Sequence, residues 1–277
     1  MTLPPGVGRA LRVAGGDINE AYRVTLADGV DAFVKTRADA QAGEYAAEAA
    51  ALGWLAAPGA LRTPRVIDVD ERYLALEWIE RGTLGEAGAE ELGRGLAATH
   101  DAGAEEFGAR GSVATAGFGS LRLPNEPTAD WASFYGERRL APLARIGAER
   151  GVLSAAGASA VERVCARLAD LVGSPEPPSR LHGDLWAGNV MADRDGRPWL
   201  IDPSSYGGDR EIDLAMLRLF GAPSRRVFDA YHEHTPLAAG WQDRVELYQL
   251  LPLLVHALLF GGSYVARAER IARRYAG

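Results

Sequence analysis

Apolar and polar residues alternate along the first part of the chain, and a period of three to four residues replaces that alternation from Thr83 onward. Alternation sends successive side chains to opposite faces of a strand, whereas the longer period gathers them on one side of a helix. The pattern predicts strands over Leu11–Val13, Glu20–Leu26, Val30–Lys35, Arg65–Val69 and Tyr73–Ile79, with Asp28-Gly29 as a hairpin turn. Asp39–Ala57 is rich in Ala and Glu and has no internal proline, so it predicts one helix among these strands. Further helices are expected at Glu86–Asp101, Asp130–Glu149, Ala155–Val172, Ile212–Leu219, Arg225–His232, Trp241–Phe260 and Tyr264–Tyr275, interrupted by strands Val190–Met191 and Trp199–Ile201. Strands first and helices second imply an α+β chain of two lobes. The small β-rich N-terminal lobe would span residues 1–78, and a large, mainly helical C-terminal lobe residues 79–277.

Composition narrows the classes of function. The chain has 277 residues, 47% of them hydrophobic and 24% charged, which suits a globular protein with sizeable cores. A net charge of −7 gives no basic surface for nucleic acid. The longest apolar stretch, Leu247–Phe260, is shorter than the roughly 20 residues that cross a bilayer, and Gln249, Pro252 and His256 interrupt it. A buried helix is expected there, with no membrane partner. A lone cysteine, Cys165, excludes an internal disulfide framework and suits a reducing cytoplasm. No secretory signal is visible between Met1 and Arg12, and a monomer is expected.

The basic residues are 29 Arg and one Lys. That Lys35 ends the predicted strand Ala32-Phe33-Val34, where a compact ammonium would suit nucleotide phosphates and an arginine would not readily replace it. A surface lysine at a strand end is the plainer alternative. Glu44 and Glu48 lie four apart on the following helix, and Glu48 is the better placed acidic partner. Ahead of Lys35, the turn Gly15-Gly16-Asp17-Ile18-Asn19 could cradle phosphate oxygens on its backbone N–H groups, although it is no GxGxxG. Glu77-Trp78-Ile79, where strands give way to helices, is the expected docking place of a nucleotide base.

The densest chemistry is His182-Gly183-Asp184-Leu185-Trp186-Ala187-Gly188-Asn189, followed by Leu200-Ile201-Asp202-Pro203. An Asp with Asn five positions on, and a second Asp after an apolar strand, is the spacing of a kinase catalytic loop with its metal ligands. Asp184 is expected to take the proton of an acceptor hydroxyl. Asn189 and Asp202 are expected to hold Mg²⁺ against ATP phosphates. His182 is expected to brace the loop through backbone hydrogen bonds rather than react. Asp213, at the start of a helix, is expected to accept the loop's backbone N–H groups. No histidine shows the spacing of a zinc site. Trp186 lies between base and metal ligand and could wall an acceptor pocket; Trp131 could join it or pack in the core, and Trp54 and Trp241 are expected in the core.

These motifs resemble the fructosamine kinase (ketosamine-3-kinase) family, within the protein-kinase-like superfamily. The Trp of His182–Asn189 separates this pattern from aminoglycoside and choline kinases, which share the His-Gly-Asp, the Asn and the later Asp. The resemblance extends through Phe33-Val34-Lys35, Phe118-Gly119, Asn125, Asp130-Trp131, Phe134, Arg139-Leu140, Asp202-Pro203-Ser204-Ser205-Tyr206-Gly207, Glu211–Met216 and Leu247–Leu250. The chain departs in carrying Ile18 where some relatives have cysteine, and Gly208 at a position often taken by His. The resemblance implies ATP-dependent phosphorylation of the 3-hydroxyl of a ketoamine, free or on a glycated amine or protein, as a deglycation step. An aminoglycoside- or choline-type phosphotransferase, or a nucleotide-binding pseudokinase scaffold, is the alternative.

Overall fold

The structure, a computed structural model, describes residues 4–13, 19–109, 115–118, 121–221 and 223–277. Its N-terminal part is built on strands β1 (Arg9–Val13), β2 (Glu20–Thr25), β3 (Asp31–Thr36), β4 (Val66–Asp70) and β5 (Tyr73–Glu77), with helix α1 (Glu44–Ala56) between β3 and β4. They form one antiparallel sheet of order β1-β2-β3-β5-β4. Alternation decides what each face carries. Tyr22, Val24, Ala32, Val34, Tyr73 and Ala75 pack together on one face. Leu74 and Leu76 pack against Tyr45 and Leu52 of α1 on the other. Lys35 is the cross-strand partner of Leu74, so the pleat turns its side chain toward α1. The helix begins five residues later than its composition suggests, because Gly43 adopts φ 78° immediately before Glu44.

The remainder is mainly helical. It comprises α2 (Glu86–Asp101), the hairpin β6 (Thr115–Phe118) and β7 (Leu121–Pro124), and α3 (Trp131–Ser133). A π-helical stretch, Phe134–Leu140, joins α3 to α4 (Ala141–Glu149). Then come α5 (Ala155–Leu171), β8 (Ser179–Leu181), β9 (Val190–Ala192), β10 (Pro198–Leu200), β11 (Tyr206–Gly208), α6 (Glu211–Leu219), α7 (Arg225–His234), α8 (Trp241–Phe260) and α9 (Ser263–Tyr275). Side-chain caps start several helices: Asp130 Oδ1 accepts the Ser133 N–H at 2.8 Å, and Ser154 Oγ accepts that of Gly157 at 2.9 Å.

The larger core joins α3, α4, α5, α8 and α9 around Trp131, Tyr135 and Tyr248. A smaller core joins α2, α6 and α7 with Leu185 and Leu200, which come from the two segments of the expected catalytic motif. The apolar stretch 247–260 is therefore the interior part of α8, and among the described residues no helix is long and apolar enough to cross a membrane. Trp131 belongs to the core, its Nε1 donating to Tyr248 Oη at 3.1 Å. Trp54 and Trp241, expected in the core, instead lie half-buried beneath the guanidinium groups of Arg180 and Arg218, at 4.6 and 4.7 Å from the ring centroids. An indole's large face is covered here by an arginine, which keeps its charge near water.

Candidate active site

Two short antiparallel pairs frame the site. β8 pairs with β11 and β9 with β10, so the chain between β8 and β9 and the chain between β10 and β11 lie side by side. The first segment carries His182 to Asn189; the second carries Asp202. Gly183 sits at φ 81°, and a β-carbon there would fall 2.1 Å from the Ser204 carbonyl oxygen. Only glycine permits the two segments to approach so closely. Asp202 has φ 54°, the one non-glycine residue with positive φ among the described residues. Such a conformation costs on the order of 1–3 kcal/mol and recurs where function fixes the backbone.

Asp213, in the first turn of α6, anchors the first segment. Its carboxylate is buried and accepts the backbone N–H of His182 at 2.7 Å and of Gly183 at 2.9 Å. His100 Nε2, from α2, lies 3.3 Å from the same carboxylate, and His100 Nδ1 meets Tyr231 Oη at 2.8 Å. Burial acts to raise the Asp213 pKa, but the hydrogen bonds from His100 and the Gly183 N–H outweigh it, and the net direction is down. His100 carried no signal in the sequence beyond being a histidine near the end of a predicted helix; its role depends on a partner far along the chain.

His182 is fully buried. Its Nε2 lies 3.0 Å from the Ile201 carbonyl, and its Nδ1 accepts the Asp184 N–H at 3.2 Å. These partners define a neutral ring protonated on Nε2. Burial lowers its pKa, which agrees with that form. The ring thus joins the two segments through backbone groups and offers no free nitrogen for chemistry.

Asn189 is buried and donates through Nδ2 to the Asp184 carbonyl at 2.8 Å and to Asp184 Oδ2 at 3.2 Å. Its amide oxygen takes part in neither of these bonds. Asp184 itself is half-buried, and its pKa is pushed up to about 7, first by burial and then by the nearby charge of Asp202, with the Asn189 hydrogen bond opposing. A carboxylate in that range is poised to take a proton near neutral pH.

From the N-terminal sheet, Lys35 Nζ reaches into the same place. It forms an ion pair with Glu48 of α1 and another with Asp202 Oδ1 at 2.9 Å. Burial would lower the Lys35 pKa, but the charges of Asp202 and Glu48 more than compensate and raise it, so the ammonium stays protonated. The Lys35 charge in turn lowers the pKa of Asp202, whose side chain remains half-exposed to the cleft. Glu48, rather than Glu44, therefore faces Lys35; Glu44 pairs with Arg37 and Arg122.

The other expected nucleotide contacts are less concentrated. Glu77 and Trp78 follow β5, but the Glu77 carboxylate accepts the Arg65 N–H at 3.2 Å and the Trp78 ring lies under Arg23 at 4.5 Å. Ile79 is buried. Asn19 Oδ1 accepts the Tyr45 hydroxyl at 3.1 Å, whereas Gly15, Gly16, Asp17 and Ile18 lie outside the described residues.

Beside Asp184 a small cavity of about 20 Å³ opens between Phe118, Met216, Leu251, Pro252 and His256. Trp186, 40% exposed, meets Phe220 edge to face, with ring centroids 6.2 Å apart. Phe220 contacts His256 at 4.8 Å and Tyr264 at 6.3 Å. The indole crosses over Gly188, where a β-carbon would lie 2.2 Å from Trp186 Cη2. Phe220, His256 and Tyr264 could not be connected to Trp186 from the sequence, since they come from the end of α6, the C-terminal part of α8 and the start of α9. His256 Nδ1 lies 2.7 Å from the Pro252 carbonyl and donates to it, which leaves Nε2 as an acceptor.

A lysine–glutamate pair from a sheet, set against an Asp, an Asn and a second Asp on a helical body, defines an ATP-dependent phosphotransferase acting on a hydroxyl, with the protein-kinase-like fold. Solved structures agree on the fold: a thermostable mutant of aminoglycoside phosphotransferase APH(4)-Ia, in ternary complex with ADP and hygromycin B, superposes with a TM-score of 0.64 at 18% identity over 98% of this chain and 94% of that one. The chain belongs to the fructosamine kinase family, whose model matches residues 6–276. It is 36% identical to a probable ketoamine kinase of Synechocystis sp. over 95% of this chain and 88% of the relative. A crystallised candidate fructosamine-3-kinase from Thermobifida fusca YX-ER1 superposes with a TM-score of 0.90 at 44% identity, covering 98% of this chain and 93% of that one.

Proposed function

We propose that the chain transfers the γ-phosphoryl group of ATP to the 3-hydroxyl of a ketoamine, a fructosamine or ribulosamine, and so starts its deglycation. The observation that carries this reading is the position of Asp184, bonded to Asn189, near the Lys35–Asp202 pair and lining the small cavity shared with Phe118 and His256. Lys35, held by Glu48, would bind the α/β-phosphates. Asp184 would orient the acceptor hydroxyl and take its proton. The division near residues 78 and 79 would separate the lobe that grips nucleotide from the lobe that carries base and acceptor.

The donor set fits Mg²⁺. Asn189 leaves an amide oxygen free because its Nδ2 is committed to Asp184, and Asp202 presents a half-exposed carboxylate. Mg²⁺ prefers a few protein oxygens completed by phosphate and water. Bound between Asn189 and Asp202, the cation would neutralise charge on the transferred phosphoryl group. Lys35 would exchange its Asp202 contact for the nucleotide, and Asp213 and His182 would keep Asp184 aimed. Most of the rate gain then comes from positioning and charge neutralisation.

For the acceptor, the exposed Trp186 ring and the Phe118 and His256 side chains near Asp184 would form the walls. With phosphate on C3, removal of a C1 proton, acidified by the C2 ketone, expels inorganic phosphate. The resulting imine is hydrolysed by water, which frees the amine. A monomer working in the cytoplasm, where ATP and glycated amines meet, suits this role. The test is a panel of fructosamines, ribulosamines, aminoglycosides and choline with Mg·ATP. Transfer to the ketoamines supports the reading; transfer confined to an aminoglycoside or choline would replace it.

A further inference from the structure

Glu44 and Glu48 lie one turn apart on α1, so both point from the same side of the helix. Glu48 meets Lys35. Glu44 is shared by two guanidinium groups: Arg37, just after β3, at 2.7 Å, and Arg122, on β7, at 2.8 Å. Its Oε2 also accepts the Gln41 N–H at 3.2 Å. Glu44, Arg37 and Arg122 are largely withdrawn from water, at 17%, 13% and 22% side-chain exposure.

The β6–β7 hairpin that supplies Arg122 reaches the active site at two further points. Ser204, two residues past Asp202, donates through Oγ to the Gly117 carbonyl at 2.9 Å. Phe118 lines the cavity beside Asp184. Gly117 is the cross-strand partner of Arg122, and the guanidinium lies across it, where a β-carbon would come within 2.8 Å of Nη1. With Nη1 also donating to the Leu121 carbonyl at 3.2 Å, the hairpin holds Nη2 toward Glu44. One hairpin thus touches α1, the Asp202 segment and the acceptor side.

We propose that Arg122 and Glu44 are positioning residues: their ion pair fastens α1 to the β6–β7 hairpin and so sets the place at which Glu48 holds Lys35 for the nucleotide. The inference rests on the kinase reading of Lys35. Neither residue touches the reacting atoms. The pair acts along the helix, one turn from the Lys35 partner, and links the nucleotide grip to the hairpin whose Phe118 lies beside Asp184.

The test measures Mg·ADP affinity by titration calorimetry, together with the KM values for ATP and acceptor, in Arg122→Gln, Glu44→Gln and the double variant. Arg122→Gln is expected to weaken Mg·ADP and raise the KM for ATP about fivefold, as for a partly buried ion pair, while the acceptor KM stays in place and the melting temperature falls by no more than about 4 °C. Adding Glu44→Gln should cost little more than the worse of the two single changes, and Arg122→Lys should restore part of the affinity. Unchanged nucleotide affinity in Arg122→Gln, or fully additive losses, would overturn the tie while leaving the kinase reading intact. Failure of the wild-type chain to bind Mg·ADP at all would overturn both.

Discussion

Replacing Asp184 by Asn should stabilise the protein while it removes turnover. Burial, with the Asp202 charge added, lifts the Asp184 pKa from the ordinary 3.8 to about 7. The folded state therefore binds this proton more tightly than the unfolded chain does. A group of that kind contributes stability that is complete below the unfolded pKa and is lost as pH rises through the folded one. Above pH 7 the full cost of the buried ion is present, with a ceiling of about 4 kcal/mol at 1.36 kcal/mol per unit. Side-chain relaxation and water entry reduce this, and a gain of roughly 1–2 kcal/mol is expected for the neutral isostere, or about 2–5 °C in melting temperature. Asn keeps an oxygen to accept the Asn189 Nδ2 hydrogen that now goes to Asp184 Oδ2 at 3.2 Å, so no contact is forfeited. Calorimetric melting from about pH 5 to pH 8 should show the advantage growing with pH. Turnover should fall by a factor of about 10²–10⁴ with Mg·ADP binding largely intact. An Asp184→Asn variant that melts at or below the wild-type temperature at pH 8 would refute the assignment of a costly buried carboxylate.

Other expectations follow from the same geometry. The pH profile of kcat/KM should lose activity as pH falls through about 7, because Asp184 must be ionised to accept a proton. The corresponding limb of kcat should lie lower, since a cation held by Asn189 and Asp202, as proposed, would favour the carboxylate; coincident limbs would argue against Asp184 as the base. Asp213→Ala removes the acceptor of the His182 and Gly183 N–H groups and the partner of His100. Several buried donors would then be unpaired at about 1–3 kcal/mol each, so thermal melting should drop steeply and the residual folded enzyme should be slow. Lys35→Arg should keep the charge yet weaken Mg·ADP binding on the order of tenfold, because a planar guanidinium would not keep Glu48 while turning from Asp202 to a phosphate, as the compact ammonium is proposed to do. Wild-type affinity in Lys35→Arg would show that the charge alone suffices.

Long periodic segments of this chain could be read directly. Helix α2 lies where the pattern set it, and α5 and α8 differ from expectation by at most one residue, since each buries a continuous apolar stripe. The missed elements are short and gain their partners from afar. β8 and β11 have three residues each and pair across a long loop, and β6 and β7 flank Gly-rich sequence with little alternation. Within helix Asp130–Glu149, the π-helical stretch around the fully buried Arg139 left no trace in a pattern that counts only apolar spacing.

The candidate site divides in the same way. Asp184, Asn189 and Asp202 stand close in sequence, and their spacing announced them. Lys35 stood out because no other lysine competes with it. His100, Arg122, Phe220 and His256 reach the site only through folding, and their chemistry is ordinary until the partner is known. Glu44 and Glu48 could be placed on one helical face from the sequence, but the contacts to Lys35, Arg37 and Arg122 assign each its partner.

The central claim is phosphoryl transfer to a ketoamine 3-hydroxyl with Asp184 as the base. Its most direct test is phosphorus–proton correlation NMR of the product formed from a ribulosamine or fructosamine with Mg·ATP, alongside the Asp184→Asn enzyme. The expected result is a single phosphate coupled to the C3 proton, formed by the wild type and not by the variant. Phosphate on another hydroxyl, no transfer by the wild type, or equal transfer by both enzymes would contradict the claim.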